Sequence, residues 1–241
     1  MMNQMKRFFL TALLAFLCFC NNAFAQKQLI IEHDYSSFSD IYANDFFDIT
    51  LVPSSSSSVR LITDTSMEDY VQAYVKDDAI VLHLDTKGMP KDVRKAFFDA
   101  WNGKPRITAE IRMPFVRRVT LDGNSSICSL EEIITSGNVE FLLSKSASIP
   151  AMSVKSKSFL LSLSNKASAV MTVNAPSIEA DADNNASAQL NVVANRLSVF
   201  AGGFANCEIV GKAEKILFQT EGRSKISFND NYDGTSSGQS L

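Results

Sequence analysis

The chain is poor in the side chains that carry most protein chemistry. Its 241 residues include two histidines, His33 and His83, one tryptophan and four cysteines, two of which fall in the first 25 positions. No glycine-rich phosphate loop and no G-x-S-x-G elbow occurs, so nucleotide binding and α/β-hydrolase chemistry find no motif to rest on. Charge of one sign is also scarce: the net charge is −3, the charged residues are scattered and no basic stripe forms. That argues against nucleic acid or an anionic membrane as partner. After the N-terminus no apolar run is long enough to span a bilayer.

Residues 1–25 read as a signal peptide. Lys6 and Arg7 form a positive start, Phe8 to Cys20 is a short apolar run, and Ala23-Phe24-Ala25 supplies an A-x-A cleavage site. Leu17 and Phe19 stand where a small residue should precede a lipidated cysteine, which disfavours a lipoprotein. The expected exported chain begins at Gln26 and carries 21 basic against 26 acidic residues, about −5. Periplasm, outer surface and extracellular space all remain open as its destination.

What the chain does have is a repeat. One apolar column runs Val119, Val139, Phe159, Ile178, Leu197, Ile216, and a second, two residues later, runs Leu121, Phe141, Leu161, Ala180, Val199, Phe218. A spacing of two places both columns on one face of a strand, while Thr120, Glu140, Glu179 and Ser198 between them face outward. Six residues after the first column stand Asn165, Asn184, Gly203 and Gly222, the residue types that enter left-handed backbone at least cost. Units of 19–20 residues, with short strands and one fixed corner, predict an all-β fold. The coils of a parallel β-helix, a solenoid of about six turns, bury their inner faces only by stacking. Ala180, Ala182 and Ala201 suit a narrow interior. An antiparallel sandwich with evenly spaced strands is the competing architecture, but it does not require the same corner chemistry at one phase.

Residues 26–112 are less regular. Gln28–Glu32, Phe46–Val52, Val59–Ile62 and Ala79–Leu84 read as strands, and Ser54–Ser58 as a connecting loop. They are expected to form opening layers of one solenoid domain, residues 26–228, over one end of the regular coils at 113–228. An inserted helix of about ten residues is predicted where Pro90 precedes a stripe of Val93, Ala96, Phe97, Ala100 and Trp101 and Gly103 follows it. Phe97 and Trp101 should pack on the body, with Phe98 off the stripe and exposed. Phe98 and Trp101 are therefore candidate contacts for a partner. The polar segment 229–241 reads as a flexible tail.

Candidate chemistry is thin. His33 and His83 have no Cys, Asp or Glu at ligand spacing, so no metal or other cofactor is expected. Cys128 and Cys207 fall four coils apart, counting Ser126, Ala147, Ser168, Ser187 and Asn206 as equivalent. That is roughly 19 Å, beyond the ~7 Å reach of a disulfide, so two free buried thiols are expected and a bridge between molecules stays open. Asp181 and Asp183 resemble a fragment of a calcium loop, as does Asn229–Gly234, but neither completes a ligand pattern. Asp181 and Asp183 read as a solvated outward edge and a weak partner contact. Outward repeat positions are mostly serine, threonine, asparagine and alanine, which supply hydrogen bonds but no acid–base pair.

The segments "FFDITLVP", "SVRLIT" and "ITAEIRMPFVRRVTLDGNSSI", with corners at "SKSASI", "SNKASAV", "DNNASAQL" and "EGRSKISF", resemble an exported bacterial family frequent in Bacteroidetes. It is called putative auto-transporter adhesin, head GIN domain. Family corners usually read G-S-G, and here Asn-Lys-Ala-Ser or Asn-Asn-Ala-Ser often stands instead. The resemblance implies a right-handed β-helix and an envelope or surface role such as adhesion. It supplies no catalytic residues, and no translocator barrel is expected within 241 residues. The expected function is non-enzymatic binding of glycan, protein or envelope material. A carbohydrate-active β-helix enzyme and a self-associating envelope scaffold are the alternatives.

Overall fold

The structure is a computed structural model that describes residues 28–100, 107–229 and 233–240. The expected signal peptide and Trp101 lie outside the described residues. The N-terminal part comprises β1 (Gln28–Tyr35), β2 (Asp40–Asn44), β3 (Phe47–Pro53), β4 (Ser57–Asp64), β5 (Val71–Lys76), β6 (Ala79–Leu84), helix α1 (Lys91–Ala100) and β7 (Ile107–Met113). The next strands are β8 (Arg118–Asp122), β9 (Ser126–Cys128), β10 (Ile133–Ile134), β11 (Asn138–Leu143), β12 (Ser148–Lys155) and β13 (Ser158–Leu163). Then come β14 (Ser168–Asn174), β15 (Ser177–Ala182), β16 (Ser187–Ala201), β17 (Asn206–Thr220), β18 (Lys225–Phe228) and β19 (Asp233–Ser240).

Strands from successive turns pair in parallel and build two walls. Wall A runs β6, β2, β8, β11, β13, β15, then the second halves of β16 and β17, then β19. Wall B runs β7, β3, β9, β12, β14, the first halves of β16 and β17, then β18. The architecture is the predicted solenoid. Val139, Phe159, Ile178, Leu197 and Ile216 lie opposite one another in sequence along wall A, each at most 2% exposed. Ala180, Ala182 and Ala201 are buried beside them.

Two register details differ from the sequence columns. Val119 pairs with Phe141 and Leu121 with Leu143, so the first step of that column spans two more residues than read from the repeat. The connection holding the two-residue strand β10 lengthens that coil, and a shift of two keeps the same face inward. On wall B, Ser126 stands opposite Ser148, not Ala147. The register between β12 and β14 then slips by one at Pro150–Ala151, which is where the coil shortens from 20 to 19 residues. Proline has no N–H to give the ladder, so the bulge falls there at low cost.

The corner is the most constrained point of each coil. Gly123, Lys145, Asn165, Asn184, Gly203 and Gly222 all have positive φ, between 60° and 77°. At each of the first five the carbonyl points along the stack and accepts an N–H from the next coil. Lys166 donates to Lys145 at 2.7 Å, Asn185 to Asn165 at 2.7 Å, and Arg223 to Gly203 at 2.7 Å. A turn bond follows, as from Ala167 N–H to the Ser164 carbonyl at 3.2 Å. The alanines after it, Ala147, Ala167, Ala186 and Ala205, are buried. Lys145 breaks the expected glycine-or-asparagine rule. Its Nζ lies 2.6 Å from Asp122 in the preceding coil, and that ion pair accompanies the strained backbone. Burial pushes the Asp122 carboxyl up, but hydrogen bonds from Lys145 and Ser144 outweigh it and hold the group below its ordinary value.

The opening layers belong to the same stack, but not in chain order. β2 sits between β6 and β8, so the β6–β7 coil lies outside the β2–β3 coil that precedes it in sequence. Arg117 fastens this junction: its guanidinium lies 2.9 Å from Asp40 and its Nε donates to the buried Ser39 hydroxyl. Ser39 in turn donates to Asp78. Beyond the last coil, β5 pairs antiparallel with β6, β4 with β7, and β1 with β4. β4 begins at Ser57, inside the serine tract expected to be loop. At the other end, the segment expected to be a loose tail supplies β19, which pairs parallel with β17.

Helix α1 forms over the expected ten residues. Phe97 is buried, but Phe98, expected to be exposed, is half-buried: its ring meets Phe46 edge-on at 5.4 Å and Phe97 at 5.6 Å. Both phenylalanines serve packing, because Phe46 turns toward the helix and widens the apolar surface past the stripe. Cys128 and Cys207 are free. Cys207 is buried, while Cys128, expected to be buried too, is half-buried because it follows Ile127 onto the outward face.

Two outcomes follow from this packing. At Gly203 an added Cβ would stand 2.9 Å from the Asn184 Cα, on top of the left-handed strain. Gly203→Ala should therefore lower stability by at least about 1–2 kcal/mol, while Asn184→Gly changes it by less than about 0.5 kcal/mol. Urea unfolding midpoints at constant slope measure both. Burial, with the Asp181 charge adding, pushes the Cys207 thiol up to about 11. In a native chain beginning at Gln26, a thiol-specific disulfide reagent should modify Cys128 first. Cys207 should follow about a hundredfold or more slowly, and mass mapping of the labelled peptides reads the order.

Candidate functional site

A depression lies on the outside of wall B. It arises from the in-register stacking of the wall. Met152, Met171, Leu190, Ile209 and Phe228 face one another from β12 to β18, the first four buried and Phe228 half-buried. Alternate residues on either side must point outward. One rail is Ala151, Val170, Gln189, Glu208 and Ser227. The other is Ser153, Thr172, Asn191, Val210 and Asn229. A cavity of about 370 Å³ occupies the middle of this double row. It shares Glu208 and Val210 with a second of about 270 Å³ toward β18. It shares Ala151, Met152 and Ser153 with a third of about 220 Å³ reaching Leu130 and Glu132. The three form one trough along the solenoid axis. Its double row covers five rungs, or about 19 Å at the usual strand spacing.

The trough carries few ionisable groups, all of them acidic. Glu208 is the only ionisable side chain in its middle, and it accepts hydrogen bonds from Gln189 at 3.3 Å and Asn206 at 3.4 Å. Glu131 and Glu132 stand at one end. Val170, Val210 and Leu130 are exposed apolar groups among the amides and hydroxyls. The strands beneath its centre, β14, β16 and β17, are each paired to a rung on both sides, so recognition here falls to side chains.

Asp181 and Asp183 lie elsewhere, on wall A. With Glu179 they occupy successive outward positions along β15 and the corner after it, side by side on one strand and not across a groove. Asp181 is half-buried between Ser162 and Phe200. Burial raises its carboxyl above the ordinary value, and the Glu179 charge adds to this. Asp183 folds back on its own corner, accepting the Asn184 N–H at 2.7 Å, and the missing Cβ of Gly202 leaves it room. His33 on β1 and His83 on β6 stand on strands that do not pair with each other. Among the described residues, no group of three or more His, Cys, Asp or Glu could hold a metal ion, and no helix is long and apolar enough to cross a membrane.

Among the described residues, the structure thus brings none of the singled-out side chains into the trough. The trough was not read from the sequence, although its signal is there: Val170 and Thr172, Gln189 and Asn191, Glu208 and Val210 recur at 19-residue intervals. Their chemistry has no motif, and only the register aligns them.

Among curated proteins none matches the chain. Solved structures resemble it in fold. A putative adhesin from Bacteroides fragilis aligns with TM-score 0.60 at 12% identity, covering 90% of this chain and 98% of that one. A putative adhesin from Parabacteroides distasonis gives 0.60 at 13%, with the same coverage. A putative lipid binding protein from Parabacteroides distasonis gives 0.54 at 12%, again with 90% and 98% covered. The sequence profile described as putative auto-transporter adhesin, head GIN domain, matches residues 37–233. With that span matched, nearly all of the stacked coils, the chain belongs to this family.

Proposed function

We propose that the protein is an exported, non-enzymatic, adhesin-like solenoid that retains a surface or envelope molecule in the wall B trough. Residues 1–25 are removed on export, and 26–228 act as one binding unit. The observation that carries this reading is the trough: outward hydroxyl and amide side chains interleaved with small apolar ones, aligned over five rungs, in a family named for adhesion. An enzyme cleaving glycosidic bonds needs two carboxyl groups about 5–9.5 Å apart across the bound sugar. Here Glu208 and the Glu131–Glu132 pair stand about four rungs apart, roughly 19 Å, which supports retention over turnover. Lipid binding, the description attached to one neighbour, calls for an enclosed apolar cavity. The trough is open along its length and its apolar floor is covered.

The test is a pull-down of bacterial envelope and host surface fractions on immobilised chain beginning at Gln26, with the eluate and the flow-through analysed for cleavage. Saturable retention of intact material is expected. Hydrolysis or elimination products in the flow-through would overturn the non-enzymatic reading, and absence of any retained material would overturn the adhesin reading itself.

A further inference from the structure

We infer that the trough binds a neutral, linear polysaccharide lying along the solenoid axis, with roughly one sugar per rung. This rests on the binding reading above and names its ligand class.

The rails decide the chemistry. Thr172, Gln189 and Asn191 occupy the centre, with Ser153 and Ser227 toward the ends. Hydroxyl and amide side chains each offer a donor and an acceptor, which is what a sugar hydroxyl also offers. Val170, Val210 and Ala151 lie between them and suit the C–H faces of a pyranose ring. Among the described residues no Lys, Arg or His lines any part of the trough, and three glutamates do. An acidic polysaccharide or a nucleic acid would meet uncompensated like charge. A neutral polymer meets no such cost.

The period decides between a glycan and a peptide. Rungs repeat at about 4.8 Å, whereas an extended peptide advances about 3.3 Å per residue, so no residue falls opposite the next rung. The one that meets every second rung has its side chain turned to the other face. A peptide also gains its affinity in strand addition from unpaired backbone at a sheet edge. Wall B offers none beneath the centre of the trough, because β14, β16 and β17 are each paired on both sides. A peptide laid here would leave most of its own amides unmatched. A pyranose unit is close in length to one rung, so successive rings fall opposite successive pairs of rail side chains. Alternate rings of a β-1,4-linked chain are turned over, and hydroxyl and amide side chains, which both donate and accept, meet either edge. Equivalent contacts then add along the stack.

The test uses calorimetric titration of the chain beginning at Gln26 with neutral β-1,4-linked gluco- and manno-oligosaccharides of about two to eight sugars. Polygalacturonate and an uncharged extended peptide serve as competitors. Affinity for at least one neutral series should rise with length and level off near about five sugars, the length of the double row. Asn191→Ala should weaken binding about three- to tenfold, the worth of one or two lost hydrogen bonds. Thr172→Trp, which fills the centre, should abolish binding. Both positions point outward, so melting temperatures should stay at the wild-type value. Asn191→Ala removes only exposed atoms and keeps the test open if the tryptophan variant misfolds. Length-independent affinity, undiminished binding by a folded Thr172→Trp protein, or displacement by the peptide or polygalacturonate would overturn the inference. So would envelope retention by a wild-type chain that binds no neutral oligosaccharide, and that outcome would leave the adhesin reading standing. A wild-type chain that retains no envelope or surface material removes both.

Discussion

The structure depends on one carbonyl per coil. At the corner between walls the chain must turn without losing a backbone hydrogen bond, because an unpaired group there would break the ladder that ties coil to coil. The left-handed residue solves this by turning its carbonyl along the stack, where the next coil's N–H meets it at 2.5–2.8 Å from Gly123 to Gly203. Once that bond is fixed, the strands on either side fall into register, apart from the one-residue slip at Pro150–Ala151. Ala147, Ala167, Ala186 and Ala205 fall beneath the turn, Val139 through Ile216 align along wall A, and the double row of the trough aligns along wall B. The corner therefore positions a surface that lies several residues away from it.

A stack of this kind has ends, and unpaired strand edges invite uncontrolled pairing. The N-terminal end is finished by reversing direction: β4 and β5 run antiparallel to the coil they cover, so the parallel register cannot continue past them. Phe38, Met67 and Phe97 are buried at that end. The non-sequential order of β6, β2 and β8 means that the β2–β3 coil is held from both sides. Arg117 draws Ser39, Asp40 and Asp78 together at that join, a polar clasp in a region the repeat does not reach. At the C-terminal end Phe218 and Phe228 approach to 5.6 Å from opposite walls and narrow the interior.

Much of this was legible in the sequence because two periods coincide. The alternation within a strand and the 19–20-residue coil both act on the same side chains, so Phe159, Ile178 and Leu197 announce themselves twice. The corner was legible for a different reason: glycine and asparagine recurring at one phase point to a left-handed turn and to little else. Lys145 escaped because the backbone bond it makes does not depend on its side-chain type, and Asp122 compensates from a neighbouring coil. β2 and β5 escaped because their pairing partners are set by tertiary order, not by spacing. Phe98 was misplaced for a similar reason: helical period says which residues share a stripe, but Phe46 decides how wide the buried surface becomes.

The candidate site was hardly legible at all, and its chemistry is the cause. Catalytic and metal sites need particular side chains, so they leave motifs. A surface that holds a neutral polymer needs only hydroxyls, amides and small apolar groups at a regular interval, and any of several residues serves at each position. Val170, Gln189, Glu208 and Ser227 stand in one row without resembling one another. What they share is height above the buried column and a spacing inherited from the corner. In such a protein the backbone repeat carries the functional information, and side-chain identity adjusts affinity one rung at a time. The same division accounts for structures that keep this fold at 12–13% identity. Corner geometry and inward volume constrain the coil, whereas the outward rails carry no such constraint from the fold.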